Sequence, residues 1–506
     1  MGLRGLSLVA QLERKEEMSA YPSDFERFVR RTTGGEGLAV LKRQTRGNSQ
    51  FPNSRGRAFC AKSDQHRAVL RSGGATLYFN RMRGRDSTLA GASVSGNETM
   101  RDVGPFLTHV VLKNYKSLAL TAVDLRPLTF LVGPNGSGKS NFLDALRFTT
   151  DSLRGSLDNA LRDRGGIGEV RRRSGGHPTH FGIRLEFQLR ASSGHYAFRI
   201  GARPKGGYEV QTEECVIRGS EGARFVVSGG KVQAFELSNK ELFTVPPAAA
   251  KDRLYLVNAS GVPPFRPVYD ALSNMGFYNL NPEMIRDFQA PGSGELLIRD
   301  GRNLTSVLAM LALLDGPRKK RIEEYLSSIV PGITGVNVKD VPPKMTLEFR
   351  QEVAGSSNPW RFYAGNMSDG TLRALGLLVA LFQSGGSDVP GVPLVGIEEP
   401  EVALHPAAVG ALLDAFREAS RSRQVILTTH SPDLLDLAEM DKELLLAVYA
   451  EKGSTLVAPI DEASLAAVRN ALYTPGELLR LDQLRPDPRL FGDVATPLPL
   501  FDGAGL

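Results

Sequence analysis

Cysteine is almost missing from this chain: Cys60 and Cys215 are the only two in 506 residues. They stand far apart, without His or Cys neighbours at metal-ligand spacing. That excludes a disulfide framework and points to a reducing, cytoplasmic compartment. Long apolar runs are missing too. The most apolar stretches, Leu304–Leu314 and Leu372–Phe382, fall short of the roughly 18 residues of a membrane span, so both are expected as buried helices. Met1–Leu12 holds a short apolar patch, but the charged run Glu13–Glu17 follows at once and no signal-peptide pattern forms. The single tryptophan, Trp360, is expected to pack rather than to stack on a base.

An excess of positive charge is also absent from most of the chain. The formal charge is +7, yet residues 1–100 hold 17 Lys/Arg against 9 Asp/Glu, and the other 406 residues hold 45 against 46. The body therefore makes no overall positive field that would demand a nucleic-acid partner. The first hundred residues are rich in Arg, Gly and Ser and poor in periodic pattern. They read as a poorly ordered basic extension, as an arm for nucleic acid, or as a stretch ahead of a natural start at Met100. Two basic clusters remain in the body, Arg171–Arg173 and Arg318–Arg321. Charge runs of this kind are usually solvated faces. His177 and His180 are too isolated for a zinc site and are assigned to a loop.

From Phe106 onward the pattern becomes regular. Phe106–Leu118 reads as one strand, Leu128–Gly133 as a second, and Lys139–Thr149 as a helix. Residues 180–260 give short strand-like runs, 266–330 turn helical, and Lys344–Val353 is again strand-like. A long apolar helix, the buried strand "PLVGIEE", a helix over Ala407–Glu418, the strand "QVILTT" and a helix start at Pro432 follow. Strands alternating with helices predict an α/β fold with a mostly parallel sheet covered on both faces. The expected parts are an extension (1–104), a first piece of core (105–180), a mixed β/helical insertion (181–355), a second piece of core (356–485) and a tail (486–506).

The most informative stretch is "LTFLVGPNGSGKSN". Gly133, Pro134, Asn135, Gly136, Ser137, Gly138, Lys139 and Ser140 fit G-x-x-x-x-G-K-[ST] between a strand and a helix. Glycines let successive backbone N–H groups turn inward on a phosphate chain, and the helix adds the positive end of its dipole. Lys139 would bridge the outer phosphates. Ser140 offers a hydroxyl to Mg²⁺, a hard cation that prefers oxygen. Farther on, an apolar strand ends in Glu398-Glu399. The first carboxylate suits a metal shell and the second suits proton abstraction from an attacking water. A second buried strand ends in His430, within reach of a terminal phosphate. Ser368, Asp369 and Gly370 precede a helix whose N-terminus suits an anion. This chain's own phosphate loop being complete, that helix is expected to face a nucleotide held by a second copy.

Taken together, these stretches resemble the ABC-type head-domain ATPases, and among them the AAA-type ATPases near the RecF, SMC and overcoming-lysogenization-defect proteins. "GPNGSGKSN" resembles a Walker A loop and "NMSDG" a signature motif. "GIEEPE" resembles Walker B with its glutamate, "ALHP" a D-loop and "TTHSP" a switch-histidine loop. The resemblance covers about 106–150 and 360–440, with a weaker echo in "LIRDGRNLTSVLAML". It implies a P-loop NTPase core with an antiparallel β part and a mixed insertion between Walker A and signature. By the resemblance Gly133–Asn141 hold ATP, Ser140 and Glu398 hold Mg²⁺, and Glu399 and His430 are catalytic. Ser368 and Gly370 contact ATP across a homodimer, and Tyr115–Ser117 lie towards the adenine. It implies ATP hydrolysis that switches the shape of a dimer acting on an effector protein, or a DNA-repair factor stimulated by DNA. Departures are Glu398 in place of aspartate, Asp369 in place of glycine, His405 in the D-loop, and no assignable Q-loop glutamine. A coiled coil and the acidic residues of a Toprim nuclease are missing.

Overall fold

A computed structural model describes residues 67–72, 75–80, 105–174, 177–238, 245–383, 391–439, 443–490 and 499–502. The chain divides into two units, Met1–Gly96 and Asn97–Leu506. In the first, β1 (Arg67–Ser72) pairs antiparallel with β2 (Ala75–Asn80). The Gly73-Gly74 dipeptide between two alternating runs is a hairpin signal, and reading this stretch as pattern-poor overlooks it. The rest of the expected extension, Cys60 included, lies outside the described residues.

Among the described residues, the second unit is built on a thirteen-stranded sheet. Its strands, in chain order, begin with β3 (Leu107–Tyr115), β4 (Leu118–Asp124) and β5 (Leu128–Val132). Next come β6 (His180–Gln188), β7 (Ser192–Ala202), β8 (Tyr208–Gly219), β9 (Ala223–Ser228), β10 (Lys231–Leu237) and β11 (Gly276–Tyr278). A separate three-stranded sheet holds β12 (Ile333–Val341), β13 (Lys344–Gln351) and β14 (Trp360–Tyr363). The large sheet is completed by β15 (Leu394–Glu398), β16 (Gln424–Thr429), β17 (Leu444–Glu451) and β18 (Ser454–Pro459).

The spatial order is β10-β9-β8-β7-β6-β3-β4-β18-β17-β5-β16-β15-β11. From β17 to β11 every neighbouring pair is parallel. From β4 to β10 every pair is antiparallel. The strands of 180–237 thus extend the sheet that carries the glycine-rich loop. The expected single strand at Phe106–Leu118 is instead a hairpin, turned at Lys116-Ser117 between β3 and β4, with Asn114 and Lys116 at positive φ. His180 opens β6 rather than lying in a loop.

Core strands β5 and β16 are buried along their whole length, as parallel strands covered on both faces must be. Their alternate residues feed two different cores. Phe130, Val132, Val425 and Leu427 join helices α2 (Leu304–Leu314), α3 (Gly316–Ile329), α4 (Asp369–Phe382) and α5 (Val409–Ser420) on one face. Leu131 and Ile426 join helix α1 (Lys139–Arg154), with Phe142, Leu146 and Phe148, on the other. Helix α4 is buried from Thr371 to Phe382; a helix apolar all round is stable only when surrounded. The expected tail includes a docked piece. Asp502 accepts from Arg184 on β6 at 2.8 Å, and its N–H donates to Glu214 on β8 at 3.1 Å.

Trp360 lies 55% exposed on β14, its ring beside Phe362. The expectation that it packs holds only for that one surface contact. Among the described residues no helix is long and apolar enough to cross a membrane.

Candidate active site

Register places the candidate residues at one edge. Val132 at the end of β5 stands opposite Thr429 of β16, and Glu398 of β15 opposite Thr428. The chain therefore leaves the sheet at Gly133, Glu399 and His430 on one level. In an open parallel sheet the carboxyl ends form the crevice where ligands bind.

The loop after β5 is shaped by close approaches. A Cβ at Gly133 would lie 2.1 Å from the Val448 carbonyl oxygen, because β17 runs beside β5. Gly138 has φ +105, and a Cβ there would lie 2.1 Å from Thr455 Oγ1. Thr455 donates from that oxygen to the Ser137 carbonyl at 2.8 Å, pinning the loop to β18. Pro134, Asn135, Gly136 and Ser140 stay exposed. No side chain caps the helix Lys139–Arg154, so its first N–H groups are available to a ligand. The Lys139 ammonium folds back on the Gly133 and Pro134 carbonyls at 2.7 and 3.0 Å. Burial lowers its pKa, against the pull of Glu399 and Glu401.

Asn141 donates to Ser117 Oγ at 2.7 Å, tying the loop to the β3–β4 turn. Arg172 also holds that turn, through the Ser117 carbonyl and Ser454 Oγ, both at 2.6 Å. That cluster residue is therefore a brace rather than part of a solvated face. Lys116 pairs with Asp144 at 2.6 Å. Tyr115 is fully buried against Phe148 and Phe181, its hydroxyl donating to Asp144, and presents no face to a base.

At the end of β15, Glu399 takes φ +46. A non-glycine residue there costs about 1–3 kcal/mol and persists only where its surroundings hold it. Its N–H donates to the Thr428 carbonyl at 3.0 Å. Arg373 of α4, buried, donates to the carbonyls of Glu398 at 3.3 Å and Glu399 at 3.1 Å. His430 Nδ1 is 3.4 Å from Glu399 Oε1 and 3.8 Å from Glu401 Oε1. Glu401 also accepts from Thr429 Oγ1 at 2.7 Å and from the His430 N–H at 3.1 Å.

Sequence reasoning missed Arg373 and Glu401. A lone charge inside the apolar run "TLRALGLL" and the third acid of "EEPE" were the available signals.

Ser368 caps α4, its hydroxyl accepting from the Thr371 N–H at 3.2 Å. A Cβ at Gly370 would lie 2.4 Å from the Ala403 carbonyl oxygen, so glycine lets α4 approach the loop after Glu399. Asp369 pairs with Arg286, and His405 accepts from the Ala407 N–H at 3.1 Å.

Beside the loop lies a cavity of about 270 Å³ lined by Ser140, Asn141, Asp144, Arg299 and Glu398 among others. Ser140 and Glu398 are thus brought to one space, as a divalent cation between them requires. Among the described residues, Ser137 Oγ, His430 Nδ1 and Glu401 Oε2 are buried without a hydrogen-bond partner. Free N–H groups, the Lys139 ammonium and the Ser137 hydroxyl are donors that fit a phosphate chain, and the oxygens of Ser140 and Glu398 fit a divalent ion. No glutamine lines the cavity.

A family model described as "AAA domain, putative AbiEii toxin, Type IV TA system" matches residues 128–221 and 285–436. The two matched blocks bracket a gap and together contain the glycine-rich loop, Glu398, Glu399 and His430. The chain is similar in structure to an Smc head bound to the C-winged helix domain of ScpA. The identity is 14%, with 71% of this chain and 100% of that one covered, and the TM-score is 0.46. An Smc head with an extended coiled coil, bound to the C-terminal domain of ScpA derived from Pyrococcus furiosus, is 13% identical. It covers 73% of this chain and 99% of its own, with a TM-score of 0.46. The SMC head domain from Thermotoga maritima is 14% identical, covers 70% and 99%, and has a TM-score of 0.37. No curated protein matches the chain.

Proposed function

We propose that this chain binds ATP with magnesium, hydrolyses it, and closes as a homodimer while the triphosphate is intact. The observation that carries this reading is the shared level of three strand ends. It puts Lys139, Glu399 and His430 at one edge, with Glu399 Oε1 and His430 Nδ1 3.4 Å apart. Lys139 leaves the carbonyls of Gly133 and Pro134 for the outer phosphates, and the N–H groups from Gly136 to Ser140 line the chain of phosphates. Ser140 and Glu398 hold the metal, which when bound neutralises charge on the phosphate oxygens. Glu399 accepts the proton of the attacking water. His430, whose main chain is fixed by Glu401, orients that water against the terminal phosphate.

Ser368 and Gly370 act across the dimer. The Ser368 hydroxyl is already used as a cap and Gly370 has no side chain. What α4 offers a second copy's phosphate is thus its dipole and backbone N–H groups. The DNA-stimulated alternative lacks a supporting observation in the body. Arg318, Lys319 and Arg321 pair with Asp315, Glu323 and Glu418.

The test is Glu399→Gln with ATP and magnesium, followed by static light scattering. The expected result is a stable ATP-bound dimer with hydrolysis slowed about 10²–10⁴-fold, the range for loss of a general base. A variant that holds ATP but stays monomeric would refute the dimer.

A further inference from the structure

The residue that holds Glu398 is not one of the motif residues. Arg299 Nη2 donates to Glu398 Oε1 at 2.7 Å. Both line the cavity that also contains Ser140 and Asn141. Lys116, Arg147 and Arg164 line it too, but Asp144 holds all three, and Asp151 also holds the two arginines. Arg299 is the cavity cation whose partner is a strand-end carboxylate.

Its position is built by the loop that presents it. The Leu297 N–H donates to Gln383 Oε1 at 2.9 Å and the Ile298 N–H to Asn303 Oδ1 at 2.8 Å. The Arg299 and Asp300 carbonyls accept from the N–H groups of Asn279 and Asn281, both at 3.1 Å. Gly301 closes the turn at φ +84, where a Cβ would lie 2.7 Å from Ile285. The main chain on both sides of Arg299 is therefore fixed, while its side chain remains 43% exposed.

We infer that Arg299 is a resident counter-ion of Glu398, which a divalent cation displaces and whose freed guanidinium then grips the nucleotide's phosphates. This rests on the magnesium–nucleotide reading of the same site. Three acids, Glu398, Glu399 and Glu401, crowd the edge; Lys139 and Arg373 lie near them, and the cation on the Glu398 carboxylate itself is Arg299. It sits on an oxygen that the metal or its water would use. A half-exposed pair of single charges is weak and screened, so a doubly charged ion at the same carboxylate exchanges with it. The released guanidinium is a planar fork of N–H donors that matches phosphate oxygens. Glu398 is its partner among the described residues, so the side chain is then free to turn to the ligand in the same cavity. Arg299 is thus a positioning residue for the metal and a binding residue for the triphosphate.

The experiment titrates MgCl₂ against the full chain with the fluorescent analogue mant-ATP, reading anisotropy. It compares wild type, Arg299→Ala, Arg299→Lys, Glu398→Gln and the Arg299→Ala/Glu398→Gln double variant. Arg299→Ala is expected to lower the half-saturating Mg²⁺ by about threefold to tenfold, since the competitor is gone. It also weakens mant-ATP at saturating Mg²⁺ by about threefold to tenfold, since a charge-assisted contact is lost. Arg299→Lys falls between. In the Glu398→Gln background the Mg²⁺ shift disappears and the loss of nucleotide affinity persists. A merely structural arginine would not raise metal affinity. If Arg299→Ala and Arg299→Lys both stay within about twofold of wild type on both readings, the inference is overturned while the nucleotide site stands. The same holds if the Mg²⁺ shift survives in Glu398→Gln. Should Arg299→Ala fail to fold, Arg299→Lys alone decides. Wild type that binds no mant-ATP overturns the site reading and the inference with it.

Discussion

The parallel and antiparallel halves of the large sheet share one hydrogen-bonded platform and differ in what their ends carry. From β17 to β11 the strands point the same way, so their carboxyl ends gather at one edge. The glycine-rich loop, the Glu398-Glu399 pair and His430 all leave from it. From β4 to β10 neighbouring strands alternate in direction. Each edge then collects turns, Gln188–Ser192 at one and Ala202–Tyr208 at the other. Two buried acids show opposite balances of burial and partners. On the helix beside the loop, burial would raise the pKa of Asp144, but Arg164 and Lys116 more than offset this and hold it at about 2. On β8, burial raises Glu213 from 4.5 to about 7, although the Tyr255 and Leu256 N–H groups and the Tyr196 hydroxyl donate to it. Parallel geometry is what makes a shared site inexpensive to build.

The largest expected break in this contrast is Lys139→Ala. Removing the ammonium from the parallel edge should weaken ATP binding about thirtyfold or more, as loss of a charged contact of about 2–5 kcal/mol does elsewhere. Isothermal titration calorimetry reads it, and unchanged affinity would remove the phosphate cradle from the account.

A matched pair of glycine substitutions comes next. Gly133→Ala sets a methyl 2.1 Å from the Val448 carbonyl oxygen, and Gly194→Ala sets one 1.9 Å from that of Val216. Each should destabilise by about 1–3 kcal/mol, since backbone must shift. Only Gly133→Ala should also impair nucleotide binding. Equal nucleotide affinity in the two variants, measured where both are folded, would erase the functional difference between the halves.

The smallest effect is on pH dependence. The folded pKa of Glu213 lies above its unfolded value, so the folded state keeps a proton that the unfolded state gives up. Its contribution to stability is full below about pH 4.5 and lost as pH rises to about 7, at a slope of up to about 1.4 kcal/mol per pH unit. For Asp144 the sign reverses: its stabilisation is present above about pH 4 and lost as pH falls through about 2. Glu213→Gln should flatten urea-denaturation stability between pH 5 and 7. An unchanged slope there would show that Glu213 titrates normally.

How much of this was legible in advance follows from the range of each signal. The loop was readable because phosphate binding demands particular residues within eight positions. The buried strands ending in Glu398 and His430 were readable because parallel strands are apolar throughout. The hairpin turned at Lys116-Ser117 was not, since "NYKSL" lacks the Gly or Asn-Gly that marks tight turns; Arg172, 55 positions later, braces it. The basic cluster at Arg318–Arg321 looked like a free face because its partner Glu418 lies 97 residues away from Arg321. Arg299 and Arg373 escaped for the same reason: their partners are carboxylates and carbonyls from distant segments.

By itself the sequence determined the α/β alternation, the glycine-rich loop and the identity of the acids and the histidine that follow apolar strands. These are local properties, set by backbone dihedrals and by side-chain period. Only the tertiary structure decided that β16 lies between β5 and β15, that Glu399 is held at positive φ, and that Arg299 sits on Glu398. Those are facts of register and packing, and register is a relation between segments that no single segment contains.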